Sequence, residues 1–313
     1  MVFFWCDAWL QAAMDQAQLS FSTSFAEGKP VFGVACLDNE VYVIRRRTAD
    51  VEVYDVSSYK LMRRLPVNKL HNPLDVAACV QTKRVYIVDG LDPSGKIYAV
   101  RTQQTTEDAS ASSSGSSTSW SVGEMAMNVS VTSTSTVVVT CGKVAQLREF
   151  TGDGQLVRQI TLNGELVSAQ HAVLLDSPPD CFVVCHGWMD DSLHRVCIVD
   201  AQDSDCPPMH VYGQQRGSGR QKLLYNASHL SVDTRHGCIF VVDMGNRRIV
   251  VLDDKLKQLT DFSVIVDKKR LPSRISLDPE RSLLYVACNE WKDVFWTSGA
   301  VNVFSVCYQS TGD

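Results

Sequence analysis

The side chains of this 313-residue chain that could do chemistry are a few histidines, cysteines and clustered arginines. His171, His186 and His229 invite a metal reading, because neutral imidazole is the commonest metal ligand. Cys181 and Cys185 stand four residues apart beside His186, but CFVVCH is an apolar run typical of a buried strand, so both are expected as core thiols. Gly217-Ser218-Gly219 lacks the strand–turn–helix setting of a nucleophile elbow. The surrounding GQQRGSG lacks the Gly-Lys-Ser/Thr ending of a phosphate loop. No Cys/His array has zinc-finger spacing, so the expectation is no catalytic residue, no metal and no cofactor.

Recognition chemistry is better represented. Basic clusters occur at Arg45, Arg46 and Arg47, at Arg63 and Arg64, at Arg247 and Arg248, and at Lys268, Lys269 and Arg270. Trp291, Phe295 and Trp296 crowd one polar loop, the pattern of a local plug or of an anchor for a partner. In DMGNRR, Asp243 and Asn246 are expected to satisfy backbone donors of a turn. An arginine there should pair with a carboxylate, with Arg247 the one expected to face outward. The net charge of −5 provides no global field for nucleic acid or an anionic membrane, so any polyanion would need a local patch.

The elements that must hold these residues repeat along the chain. A short apolar strand, a turn, a Val/Ile/Tyr-rich strand, a polar hinge and an alternating strand recur from Gly33, Asp75, Asn128, His171, His229 and Arg274, at spacings of 42 to 58 residues. Most copies add a fourth strand. The sixth copy runs out of chain, and residues 19–27, LSFSTSFAE, alternate in a way that could complete it. The fold expected is therefore an all-β, six-bladed β-propeller over residues 19–307, closed by the N-terminal strand in the last blade.

The residues opening each first strand should then form a ring at the mouth of the central channel. Asp75, Asn128, His171, His229 and Arg274 are polar there although packing does not require it, so they either bind a ligand or hold ordered water.

Residues 1–18 read as an N-terminal extension open to a helical reading, the Ser-rich tract at 105–119 as a disordered hairpin tip, and 308–313 as a tail. The apolar start lacks a basic n-region and carries Asp7, unlike a signal peptide, and no run approaches the ~18 apolar residues of a membrane span. The eleven cysteines sit mostly in apolar runs, the habit of buried thiols in a reducing compartment. A cytoplasmic location without membrane contact is expected, and the sequons at Asn128 and Asn226 are then chance matches.

The fifth copy, HLSVDTRHGCIFVVDMGNRRIVVLDD, resembles an NHL repeat: an apolar strand ending in Asp, a Val-rich strand ending in Asp, then Asn-x-Arg and a third strand. Copies two, four and six keep the strands but lose the Asn-x-Arg, and copies one and three keep only the periodicity. The resemblance implies an NHL/TolB-like propeller similar to the C-terminal recognition domain of tripartite-motif ubiquitin ligases. It would be a non-catalytic module binding protein, slightly favoured on charge, or single-stranded RNA on one face. Partner contacts are expected at Arg45, Arg46, Arg47, Arg247, Lys268, Lys269, Arg270, Trp291 and Trp296. The alternative is a metal-dependent propeller enzyme similar to peptidylamidoglycolate lyases, with His171, His186 and His229 as ligands, although no motif supplies that family's essential Arg and Tyr. Its discriminating sign is convergence of His171, His229 and a third ligand in the channel.

Overall fold

The computed structural model describes residues 17–90, 94–102, 117–162, 166, 168–188, 193–202, 207–213, 224–264, 267–293 and 295–308. The chain enters through β1 (Ala17–Gly28) and then builds six antiparallel four-stranded sheets. Blade one is β2 (Val31–Leu37), β3 (Glu40–Arg45), β4 (Asp50–Asp55) and β5 (Leu61–Pro66). Blade two is β6 (Pro73–Cys79), β7 (Arg84–Asp89), β8 (Lys96–Arg101) and β9 (Ser117–Ser121). Blade three is β10 (Asn128–Val131), β11 (Val137–Cys141), β12 (Gln146–Phe150) and β13 (Leu156–Thr161). Blade four is β14 (Ala169–Leu174), β15 (Cys181–His186), β16 (Arg195–Asp200) and β17 (His210–Tyr212). Blade five is β18 (Ala227–Asp233), β19 (Cys238–Asp243), β20 (Arg248–Leu252) and β21 (Gln258–Ser263). Blade six is β22 (Arg270–Asp278), β23 (Leu283–Lys292) and β24 (Phe295–Tyr308), completed by β1 in the order β22, β23, β24, β1.

The six-bladed propeller is thus formed as the repeat implies. Its cause is visible in the second strands. RVYIVD of β7 and CIFVVD of β19 are apolar without alternation because each is covered on both faces by neighbouring blades. Outer strands such as β5 and β13 meet water on one side and mix exposed with partly buried positions. Six apolar clusters lie in the six seams between adjacent blades, so the core is a ring of interfaces and not one central mass. The seam between blades six and one carries its own buried cluster, in which Phe25 of β1 lies 5.1 Å from both Tyr54 and Tyr59. Such aromatic pairs add about 0.5–1.5 kcal/mol each beyond burial.

Some boundaries differ from the sequence reading. Ala17 and Gln18 belong to the closing strand, since they pair with Tyr308 and Cys307, while residues 1–16 lie outside the described residues. Ser117 to Ser119 pair in β9, so the Ser-rich insertion is shorter than 105–119, and its remainder also lies outside the described residues. Tyr308 ends β24 and is not part of a tail. Nine cysteines are described, all free thiols, and seven are buried in the seams.

Candidate functional site

The hinge of blade five is a fastening device. Asp243 is fully buried, and its carboxylate accepts from the backbone N–H of Tyr225 (2.8 Å), from Asn246 Nδ2 (2.9 Å) and from Arg248 Nε (2.7 Å). Arg248 also reaches Asp261 at 3.1 Å. The same job recurs in blade two, where Asp89 accepts from the N–H groups of His71 (2.9 Å) and Asn72 (3.2 Å). An Asp ending the second strand thus holds the chain segment that leads into the first strand of its own blade. Arg247 takes a left-handed conformation (φ 57°), and its guanidinium donates to the Lys268 carbonyl at 2.7 Å. The turn therefore touches the next basic segment.

The ring of first-strand residues forms, but it closes the channel instead of lining an open mouth. Asp75, Asn128, His171 and His229 are all buried, and each reaches the following blade. Val129 N–H donates to Asp75 Oδ2 (3.0 Å), Leu230 N–H to His171 Nδ1 (3.2 Å) and Ile275 N–H to His229 Nδ1 (3.4 Å), while Asn128 Nδ2 donates to the Gln170 carbonyl. Arg274 bridges from blade six to blade two, with Nη2 at 3.3 Å from the Leu74 carbonyl and Nε at 3.5 Å from Asp75 Oδ1. Blade one contributes Gly33 at this level.

Two residues further along each first strand the side chains are small: Ala35, Ala77, Ser130, Val173, Ser231 and Ser276. They leave a cavity of about 780 Å³ that is floored by His171 and His229 and opens at the turns near Asn39, Val80 and Glu280.

Burial pushes both imidazoles toward the neutral form, with Asp75 opposing it at each ring: His171, where the His229 ring adds to burial, falls well below the usual histidine value, and His229 falls below it. Burial opposes ionisation of Asp75 too, but the facing His229 and Arg274 hold its carboxyl below the ordinary range. Since each Nδ1 accepts a backbone N–H, the proton of each neutral ring sits on Nε2. His229 Nε2–H then points to Asp75 Oδ2 and His171 Nε2–H to the Val129 carbonyl, both at 3.4 Å.

His171, His229 and Asp75 do converge, with one candidate ligand atom from each lying within 4.8 Å of the others. They do not fit a shared metal. The two rings are stacked, with centroids 3.8 Å apart and planes inclined by 15°, and a nitrogen lone pair lies in its own ring plane. An ion bound about 2.1 Å from one Nε2 would sit out of the plane of the other ring. A ligating imidazole also donates its second N–H to an acceptor, whereas here each Nδ1 faces a donor. The Arg274 guanidinium adds a fixed positive charge at the same place. His186 lies elsewhere, beside Cys197 Sγ at 3.6 Å in the seam of blades three and four, and Cys181 and Cys185 pack in the seam of blades four and five.

The remaining candidates gather at the end of the propeller where the first strands begin. Arg45 pairs there with Val31, Asp243 with Ala227, and Arg270 with Glu290, so the hinges after β3 and β19, the start of β22 and the β23–β24 hairpin share one face. β23 runs four residues past Cys288, the position matching Arg45 and Asp89 in their blades. At strand rise this places the hairpin tip roughly 13 Å beyond the neighbouring turns. Trp291 and Phe295 are 40% and 60% exposed there, and Trp296 meets Trp291 edge-on at 4.7 Å. Phe295 and Trp296 line one concavity of about 360 Å³ with Lys29, Pro30, Arg46 and Arg47. Lys268 and Lys269 are exposed, and Arg270 is engaged by Glu27 (3.6 Å) and Asp267 (3.9 Å).

One expected partner contact is corrected. Arg45 is buried and held by Glu52 (2.8 Å) and the carbonyls of Ala26 (2.7 Å) and Lys29, so it anchors the blade-one hinge and cannot meet a partner. Arg63 and Arg64 lie on the outer strand β5; Arg63 pairs with Glu40 at the far end of β3, and Arg64 with Asp50 and with Glu52, the carboxylate that also holds Arg45. Asn128 and Asn226 are buried, so neither sequon is accessible. Lys29 was not anticipated, because a lone lysine in a turn carries no cluster signal. Asn289 was not anticipated either; its amide bonds Val31 N–H (2.7 Å) and Val31 carbonyl (2.7 Å) across the closing seam, and a polar residue inside the apolar VACNEW stretch was the available signal.

No known protein family matches the chain, and no curated protein matches it. Solved structures do. The chain is similar to hydrazine synthase of Kuenenia stuttgartiensis (TM-score 0.60, 11% identity, 93% of this chain and 98% of that one). It is also similar to the Cps50 (Swd1) β-propeller domain of Myceliophteria thermophila (TM-score 0.56, 11% identity, 93% and 100%). At such identity the likeness is one of fold: the chain is a six-bladed β-propeller.

Proposed function

We propose that this propeller is a non-catalytic module that recognises a protein through the face at which its first strands begin, in the manner of the NHL-type recognition domains that blade five resembles. The observation carrying this reading is the arc across blades five, six and one. Arg247 is joined to Lys268 by a 2.7 Å hydrogen bond, Lys269 follows, the Trp291–Phe295–Trp296 hairpin projects, and Arg46 and Arg47 complete the sweep. Exposed aromatics with arginine are the residue types that dominate binding energy at protein interfaces.

Charge favours protein over single-stranded RNA. Glu27 and Asp267 interrupt the arc beside Arg270, and exposed Asp293 sits in the hairpin, so the cations form separate points and not the continuous stripe a phosphate backbone needs. The enzymatic alternative is supported by the convergence of His171, His229 and Asp75, and opposed by their stacking and by the donors facing them.

The test is crosslinking in cells followed by parallel recovery of protein and RNA. Protein adducts lost on Lys268→Glu/Lys269→Glu substitution are the expected result. RNA adducts lost by the same substitution, or protein adducts indifferent to it, would overturn the reading.

A further inference from the structure

Within that face, one concavity has the features of a specific reading pocket. Most arginines of this acidic protein are spent on carboxylates, including Arg45 on Glu52, Arg64 on Asp50, Arg248 on Asp243 and Arg281 on Asp278. Among the described residues, no carboxylate lies within ion-pair distance of Lys29, Arg46 or Arg47, although the three line a single concavity. Their companions in it are Pro30 and the aromatic rings of Phe295 and Trp296, with Phe295 60% exposed. Cations without a carboxylate partner beside uncovered aromatic surface offer a ligand charge complementarity and apolar contact at one place.

The walls are also fixed in advance. Arg46 N–H donates to the Pro30 carbonyl at 3.1 Å, joining the turn before β2 to the hinge after β3, and the Arg46 guanidinium lies 5.6 Å from the Phe32 ring centroid. Trp296 is braced by Trp291, and Gly299 lets the hairpin approach Val31: a Cβ there would meet Asn289 Oδ1 at 2.2 Å and Val31 N at 2.7 Å. A preorganised pocket loses little entropy when it binds.

We infer that this pocket takes an acidic side chain together with an adjacent apolar one from an extended segment of the partner protein, the carboxylate meeting Lys29, Arg46 and Arg47 and the apolar side chain covering Phe295 and Trp296. The inference rests on the protein-recognition reading above. The concavity of about 360 Å³ is sized for one or two side chains. Arginine presents a planar fork to a carboxylate, and the two arginines sit on consecutive residues of one turn, with Arg47 at φ 56°.

The test uses the full chain and fluorescence anisotropy of a short labelled peptide of alternating Glu and Phe. Its counterpart with Lys in place of Glu and a short oligouridylate serve as comparison probes. The acidic peptide should bind, and should weaken about tenfold or more with Arg46→Glu/Arg47→Glu and with Phe295→Ser, while Arg46→Lys/Arg47→Lys, which keeps the charge but loses the fork, should weaken it less than the Glu pair does. Equal binding of the Lys peptide, indifference to these substitutions, or tighter binding of the oligouridylate would overturn it. Thermal unfolding of each variant separates lost binding from lost folding. If the acidic peptide fails while Lys268→Glu/Lys269→Glu still removes crosslinked protein, the pocket is refuted and the face stands. If those lysine substitutions also change nothing, both readings fall.

Discussion

His171 and His229 stack face to face in the channel, 3.8 Å between centroids, each with Nδ1 taking a backbone N–H from the next blade. The pair serves as a fastening of three consecutive blades, from four to six, and its hydrogen bonds specify neutral rings. Removing divalent metal with a chelator should therefore leave the unfolding midpoint unchanged, and added zinc should not raise it. A zinc-dependent rise lost in His229→Gln would contradict this geometry.

Protonation should loosen the same fastening. Both imidazoles have folded-state pKa values below the ordinary histidine value, so the unfolded chain binds more protons on acidification. Their contribution is fully present above about pH 6.5 and is lost as pH falls toward the lowered folded values, at up to about 1.4 kcal/mol per pH unit for each group. Urea unfolding between about pH 7.5 and about pH 5.5 should show a fall that is shallower in His171→Gln/His229→Gln. Asp75 and Arg274, which face the pair, remain charged over that range, so a parallel pH dependence in wild type and variant would refute the assignment.

Arg248→Ala should cost about 3–5 kcal/mol, because it strands the buried Asp243 carboxylate without its cation. Arg247→Ala, one residue earlier, removes an exposed bond to Lys268 and should cost no more than about 1 kcal/mol. Chemical denaturation of the two variants measures the contrast, and equal losses would show that the hinge does not work as described.

Asn289→Ala should cost about 2–4 kcal/mol, since it leaves Val31 N–H and the Val31 carbonyl without their partner in the seam where the ring closes. Native-state hydrogen exchange should then quicken first in β1 and β2. Unchanged exchange there would mean that the seam is held by the Phe25 cluster alone.

The ring of blades was legible because a strand buried on both faces is written as an unbroken apolar run, and six such runs recur. The polar ring was legible by residue type, but its role was not. Whether Asp75, His171 and His229 open or close the channel depends on side-chain direction between blades, which periodicity does not encode. Arg45, Arg46 and Arg47 look alike in sequence. The structure separates them because Arg45 ends a strand whose neighbour carries Glu52, while Arg46 and Arg47 turn out of the sheet toward the hairpin of blade six. That hairpin lies some 250 residues away in sequence, so only the closed ring brings the two together.

The most direct measurement of the central claim is photo-crosslinking in cells from a benzophenone amino acid placed at Phe295, on the proposed recognition face, and separately at Val80, exposed on the opposite face. The account predicts a discrete protein adduct from position 295 that disappears with Arg46→Glu/Arg47→Glu, and none from position 80. An adduct from position 80 alone, or RNA as the species captured at 295, would contradict it.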